Sequence, residues 1–339
     1  IAIADVNGDG LEDLYLCQQG GLPNRLLLQN PDGTLRDATA ESGAGWMDEC
    51  SGVLLVDLDN DGDKDLVLAQ GHKIVFLDNV NGRGTFEPAF GQGTEGRITS
   101  LCAADYNQDG LLDVYACGYS TVSDDGQASA MGLPLPYHDA NNGCPNVLWR
   151  NKGNWDFEDV TERVGLGANN RRFSFAAGWE DFDNDGDLDL YVANDYGRNN
   201  LYRNEGAGAS PQFRDVAAAL GMEDTSAGMS TSWGDVDRNG WMDLYISNMF
   251  SSAGNRIAFQ EQFMPGTAPT VRDDYRRMAR GNTLFQADGQ GGFEDVSESA
   301  AVTMGRWAWG SQFVDLNNDG WEDLLVANGF ITTEDSGDL

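Results

Sequence analysis

The chain has 339 residues, with 55 acidic against 21 basic side chains and a formal net charge of -34. So acidic a chain repels nucleic acid and anionic membrane surfaces, which excludes both as expected partners. No run approaches the ~20 apolar residues of a spanning helix, so no direct membrane span is expected. The 43 glycines and frequent turn residues favour many short strands over helices.

Six acidic loops of one design punctuate the chain. Loop one, DVNGDGLED, carries Asp5, Asn7, Asp9 and Asp13 at positions 1, 3, 5 and 9, with Leu11 at position 7. Loop two, DLDNDGDKD, carries Asp57, Asp59, Asp61 and Asp65, with Asp63 at position 7. Loop three, DYNQDGLLD, has Asp105, Asn107, Asp109 and Asp113, with Leu111 at position 7. Loop four, DFDNDGDLD, has Asp181, Asp183, Asp185 and Asp189, with Asp187. Loop five, DVDRNGWMD, has Asp235, Asp237, Asn239 and Asp243, with Trp241. Loop six, DLNNDGWED, has Asp315, Asn317, Asp319 and Asp323, with Trp321.

Hard oxygens at positions 1, 3, 5 and 9 around an invariant Gly at position 6 suit Ca²⁺, which takes six to eight oxygen ligands from a flexible loop. Position 7 varies, as expected of a residue that ligates through its backbone carbonyl. About six calcium ions are expected. Mg²⁺ is the weaker choice because it prefers rigid six-coordination with several waters. Turn-forming alone would account for one such loop, but not for six in register. The closing Asp at position 9 replaces the Glu that an EF-hand places at position 12. The flanks, such as VLLVD and DLVLA, have strand length, so these loops join strands rather than helices. Loop five, with Asn239 at position 5, is expected to bind its ion more weakly.

The first Asp of each loop recurs after 52, 48, 76, 54 and 80 residues. A period near 50 signals a propeller or similar array. Behind each of the first five loops lies a strand, a Gly-containing turn and a second strand, at 24–39, 72–89, 145–161, 199–217 and 282–297. The expected fold is therefore all-β, a β-propeller of four-stranded blades, forming a single domain over 1–339. Two insertions lengthen the array, at about 120–144 and 250–281. The first reads as an excursion loop. In the second, Val271, Tyr275 and Met278 mark a short amphipathic helix ending near Gly281. Its Arg272, Arg276, Arg277 and Arg280 are expected to pair with carboxylates of the same chain, with a partner-binding face as the alternative. The chain opens inside a strand and stops after the second strand of a sixth unit, so a closed ring of six or seven blades is expected to need sequence outside this stretch, or another chain.

These residues resemble the FG-GAP/VCBS repeat propellers. The D-x-[DN]-x-[DN]-G-x-x-D loop is similar to the calcium loops of integrin α-subunit propellers. The phrases DFDNDGDLDLYVAN, NNLYRN, FEDVTERVGL and MGRWAWGSQFVDLNNDGWEDLLVANG look like the cartilage acidic protein branch, whose bacterial members often carry an UnbV-type domain. The resemblance implies a calcium-bound propeller in a secreted or surface protein. It does not imply a reaction.

Millimolar free calcium outside cells suits such sites, so an extracellular, cell-surface or periplasmic location is expected. Of the five cysteines, Cys102 and Cys117 flank loop three, where other repeats carry mostly small residues. They read either as small apolar fillers or as a bridge across the hairpin in an oxidising compartment. Two histidines and the absence of close cysteine pairs speak against zinc or haem.

No nucleophile elbow, H-E-x-x-H or P-loop is present, and no catalytic residue is assigned. The chain is expected to be a non-catalytic binding, adhesion or assembly module. Its expected partner is a protein or glycan at the cell surface or matrix, or further copies of itself. A carbohydrate-active enzyme and an accessory subunit of an extracellular complex or filament are the alternatives. The first would draw on paired carboxylates or on His138 in PYHDANN.

Overall fold

The computed structural model describes residues 1–18, 20–120, 132–206 and 210–329. Much of the first insertion, 121–131, therefore lies outside the described residues. The chain is all-β, with five four-stranded antiparallel blades and a two-stranded unit among the described residues. The described residues fall into two compact units, Ile1–Gly132 with Cys144–Val164, and Leu133–Gly143 with Gly165–Leu339.

The first unit holds three blades. Blade one is β1 (Ala2–Ala4), β2 (Asp13–Leu16), β3 (Arg25–Gln29) and β4 (Leu35–Asp37). Blade two is β5 (Gly52–Val56), β6 (Asp65–Gln70), β7 (Lys73–Asn79) and β8 (Phe86–Gly93). Blade three is β9 (Ile98–Ala104), β10 (Asp113–Gly118), β11 (Val147–Asn151) and β12 (Phe157–Asp159). In each, neighbours in sequence are neighbours in the sheet, and the acidic loop is the connection between the first two strands.

The second unit repeats the plan. Blade four is β13 (Phe173–Glu180), β14 (Asp189–Asp195), β15 (Asn200–Asn204) and β16 (Phe213–Asp215). Blade five is β17 (Gly228–Gly234), β18 (Asp243–Asn248), β19 (Thr283–Ala287) and β20 (Phe293–Asp295). The sixth unit is the pair β21 (Ala308–Val314) and β22 (Asp323–Asn328). The half-repeat expected from the sequence is thus what the described residues form.

The second strand of a blade is covered on both faces. β6, β10, β14 and β18 are buried along their whole length, so these strands read as near-continuous apolar runs instead of alternating. Apolar layers then form between neighbouring blades. Leu66, Leu68 and Leu77 pack with Leu26 and Tyr15, and Val67 and Phe76 pack with Val114, Trp149 and Phe157. In the second unit Tyr191 and Leu201 pack with Leu244, Ile246 and Phe285.

Polar side chains complete these layers. Tyr15, Tyr191 and Tyr245 occupy the same place in their second strands, and each hydroxyl donates to a carbonyl beyond the fourth strand, at Ala44, Met222 and Val302. In blades two and three the asparagine ending the third strand spans two blades. Asn79 Nδ2 donates to the Val6 carbonyl at 2.9 Å and Asn151 Nδ2 to that of Leu58 at 2.7 Å.

Helix is confined to short excursions. α1 (Thr39–Ser42) and α2 (Ala217–Leu220) follow the fourth strands of blades one and four. The sequence reading contained neither, although each has an Asp two residues ahead, accepting the first N–H, and a left-handed Gly behind. The second insertion holds α3 (Ser252–Ala258) and α4 (Pro269–Arg280); α4 is the expected amphipathic helix and stops at Gly281. No helix among the described residues is long and apolar enough to cross a membrane.

The Cys102–Cys117 bridge does not form, and no disulfide joins any of the five cysteines. The register sets Cys102 opposite Tyr115 and Cys117 opposite Ser100. Diagonal neighbours of this kind lie ~7–8 Å apart, beyond easy disulfide reach. The adjacent pair is instead Cys17 and Cys50, whose thiols hydrogen-bond to each other.

Replacing Asn151 with Ala leaves the buried Leu58 and Leu112 carbonyls without their donor. The expected cost is about 1–3 kcal/mol, read as a lowered urea midpoint at unchanged slope.

Candidate metal centres

Each acidic loop is first organised by its own backbone. The position 1 carboxylate accepts from the Gly N–H at position 6 in all six, at 2.7 Å from Gly10, 3.1 Å from Gly62 and 2.8 Å from Gly110. The corresponding distances are 3.0 Å for Gly186, 2.9 Å for Gly240 and 2.7 Å for Gly320. These glycines have φ between 84° and 98°, the left-handed region that a side chain would strain. Position 3 accepts the position 5 N–H, whether it is Asn7, Asp59 or Asp237. Position 5 in turn accepts the position 7 N–H. Turns of this kind curl the chain so that oxygens at 1, 3 and 5 face one point.

Position 9 does a different job from the one its spacing suggests. Its residue begins the second strand and is buried; Asp13, Asp65, Asp113, Asp189 and Asp243 are all at most 1% exposed. Its Oδ1 accepts a backbone N–H from the third strand in all five complete blades, at 2.7–3.1 Å. In loops one, two, five and six its Oδ2 accepts the position 2 N–H. In loops three and four the second oxygen, Asp113 Oδ2 and Asp189 Oδ2, has no hydrogen-bond partner and is buried. The sequence reading treated this Asp as a ligand only; it is also the strut that holds the loop to the sheet.

Carboxylate oxygens converge within 4.8 Å in three groups among the described residues: Asp57, Asp59 and Asp61; Asp181, Asp183 and Asp189; Asp235, Asp237 and Asp243. Loops one, three and six have the same curl with an Asn amide oxygen at position 3. Several oxygens in loops two and four are buried without a hydrogen-bond partner, namely Asp57 Oδ1, Asp63 Oδ1, Asp183 Oδ1 and Asp187 Oδ1. Buried carboxylate oxygens normally have a donor. Clustered, unpartnered hard oxygens are what a bound divalent cation satisfies, and the donor set fits Ca²⁺. Positions 1, 3 and 5, the position 7 carbonyl and the position 9 carboxylate could hold it.

The electrostatics agree. Burial first, and then the Asp61 and Asp59 charges, push Asp63 up to about 6; burial and Asp185 do the same to Asp187. Burial pushes Asp65 to about 7 and Asp113 and Asp189 to about 8 against their backbone hydrogen bonds. The loops also touch in series within each unit. Asn60 donates to the Gly110 carbonyl at 2.8 Å, Asn184 to that of Gly240 at 3.2 Å, and the Arg238 guanidinium lies 4.0 Å from the Trp321 ring.

Other residues raised by the sequence have structural work. Asp139, next to His138, accepts from the buried Arg172 at 2.8 Å and also pairs with Arg198. Burial opposes its charge, but hydrogen bonds from Arg198 and Arg172 prevail and hold it down at about 2. The His138 ring sits 5.7 Å from Tyr275 on α4, and Tyr137 packs on Tyr196. The arginines of α4 mostly turn inward, Arg277 to Asp224 and Asp295 and Arg280 to Asp295.

The raised position 9 and position 7 carboxylates carry a pH signature. Folding raises their affinity for protons above the unfolded value near 3.8, so the ion-free chain loses stability as pH rises from about 4 through about 8. The melting temperature in excess EDTA is expected to fall between about pH 5 and pH 8.5, and to vary less with calcium present. A flat or rising profile in EDTA would contradict this.

Known proteins place this architecture. The chain is 16% identical to an Agrocybe aegerita lectin that recognises non-reducing terminal N-acetylglucosamine, over 96% of this chain and 73% of that one, at a TM-score of 0.51. It is 13% identical to the V. cholerae biofilm matrix protein Bap1, over 86% of this chain and 37% of that one, at a TM-score of 0.46. A family model described as FG-GAP-like repeat matches residues 5–68, 57–116, 181–246 and 272–326. Those matches take in all six acidic loops in full, and the chain belongs to the FG-GAP-like repeat family.

Proposed function

We propose that the chain is a calcium-stabilised, non-catalytic binding module of a secreted, periplasmic or cell-surface protein. The observation that carries this reading is the set of buried carboxylate oxygens without donors in loops two, three and four. Asp57, Asp59 and Asp61 with the Asp63 carbonyl, and Asp181, Asp183, Asp185 and Asp189 with the Asp187 carbonyl, are the ligands we assign most directly. The other four loops follow the same pattern. Bound calcium neutralises carboxylates that otherwise repel one another and ties the loop between the first two strands. About six ions would still leave the surface strongly acidic.

Binding rather than catalysis is favoured because the clustered carboxylates are committed to these loops and His138 packs on an aromatic ring. A general acid needs a raised proton affinity, which an adjacent cation opposes. We assign the chain to the cartilage acidic protein branch on the phrases quoted above, and take a surface protein or glycan as its partner. The lectin named above binds a terminal sugar on a fold of this kind, so a glycan array is the first partner screen.

Chelation is expected to lower the melting temperature by many degrees, because ligation free energy adds to folding free energy. Calorimetry is expected to count several ions per chain. With calcium present, Asp185→Ala should destabilise more than His138→Ala. A melting curve indifferent to EDTA would refute the calcium reading, and polysaccharide cleavage abolished by His138→Ala would refute the non-catalytic one.

A further inference from the structure

Each third strand offers one side chain to its acidic loop, immediately before the residue whose N–H caps the position 9 carboxylate. The registers Leu14 with Leu27, Leu66 with Leu77, Val114 with Trp149, Leu190 with Tyr202 and Leu244 with Phe285 make this position equivalent in all five complete blades. Its occupants are Leu28, Asp78, Arg150, Arg203 and Gln286. One fold position thus carries an apolar residue, an anion, two cations and an amide.

The occupants engage their loops differently. Arg150 Nη2 lies 2.9 Å from Asp109 Oδ2, at position 5 of loop three. The other Asp109 oxygen accepts the Leu111 N–H, so both oxygens of that ligand are taken. Arg203 stands by loop four but its guanidinium turns to Glu205 at 2.6 Å. Gln286 Nε2 donates to Asp237 Oδ2 at 2.9 Å. By its register Asp78 stands at the same place beside loop two, a further carboxylate next to a loop that already has Asp57, Asp59, Asp61, Asp63 and Asp65. Leu28 is buried and brings no charge.

We propose that this third-strand position grades the calcium affinity of the loops, with Arg150 making loop three the weak site and Asp78 making loop two the strongest. This rests on the calcium reading. At loop three the ion competes with a tethered guanidinium for Asp109, and once bound it still faces a fixed positive charge. At loop two an additional anion lies within Coulombic reach of a divalent ion, where a single charge outweighs the exchange of one neutral ligand for another. Loop three is not empty of attraction, since Asp113 Oδ2 is buried without a partner beside it. Its neighbour in the series is loop two, through Asn60 and the Gly110 carbonyl. The weakest and strongest sites therefore adjoin, and loop three fills last as calcium rises.

The test is a calcium titration of EDTA-stripped, refolding-checked protein against a chromophoric chelator. The wild-type chain is expected to show loop three as its weakest equivalent, below the loop five site that Asn239 weakens. Asp105→Asn is expected to remove that equivalent alone. Arg150→Gln should tighten it by about tenfold, the size of one charge interaction of ~1.4 kcal/mol, while Arg150→Lys should leave it weak. Asp78→Asn should weaken one tight equivalent. If Arg150→Gln or Asp78→Asn binds calcium as the wild type does, with several ions still bound, the grading is wrong and the calcium reading stands. If the wild type binds no calcium, both fall. Should Arg150→Gln not fold by near-ultraviolet circular dichroism, the Asp78→Asn and Asp105→Asn titrations decide the matter alone.

Discussion

The carboxylate at position 9 of each acidic loop joins three parts of a blade. It starts the second strand, accepts an N–H from the third strand in the five complete blades, and in four loops accepts another from the residue that leads into the acidic turn. A buried carboxylate with only backbone donors carries an uncompensated charge, and burial accordingly pushes these groups far up. The acids at positions 1, 3 and 5 add further repulsion beside it. The sheet thus fixes a cluster of anions that it does not itself neutralise, and under the calcium reading proposed above a cation would complete the arrangement.

Seen from that strut, the rest of a blade follows. The second strand is held between loop and third strand, so it can be covered on both faces, and β6, β10, β14 and β18 are buried throughout. The asparagine that donates its backbone N–H to the strut in blades two and three uses its side chain to reach the preceding blade at Val6 or Leu58. In these two blades loop geometry and blade-to-blade registry are therefore coupled through a single residue. Loss of the ion at one loop would be felt at the adjoining seam as well as in the loop.

Much of this was legible in the sequence because the repeat supplies its own controls. Six aligned loops fixed the turn chemistry, the strand boundaries around it and the half-finished last unit. The amphipathic spacing of Val271, Tyr275 and Met278 was enough to place α4. Less legible were features that depend on which residues meet across the fold. The strut role of Asp13 and its equivalents is invisible in a one-dimensional motif, since a ligand and a hydrogen-bond acceptor are both written as Asp. Between the two readings of Cys102 and Cys117, filler or bridge, the sequence could not choose, because offsets from a loop do not give the cross-strand register. The contact of Cys17 with Cys50 joins different blades, and no local spacing encodes it. The helices α1 and α2 span one turn each, below the length at which periodicity speaks, although the flanking Asp and Gly were present.

The insertions show how a uniformly built array acquires local differences. Helix α4 is the main basic element on an acidic chain, yet its charge is mostly consumed internally. Arg277 reaches Asp224, whose side chain is fully buried, and shares Asp295 with Arg280. Burial opposes ionisation of Asp295, but the Ser297 hydroxyl and then these two arginines hold it down at about 2. Asp139 of the first insertion is held in the same manner by Arg172 and Arg198. Both excursions are therefore clamped to blade residues by partly buried ion pairs, where removing one partner strands the other. What they leave outward is different in kind: Tyr137, Leu133 and Leu135 from one, and Ile257 and Phe259 from the other, are at least half exposed. The blades provide acidic frames of one design, and the clamped insertions add aromatic and aliphatic surface to them. Under the calcium reading proposed above, ion-filled loops would keep the frame rigid beneath that added surface.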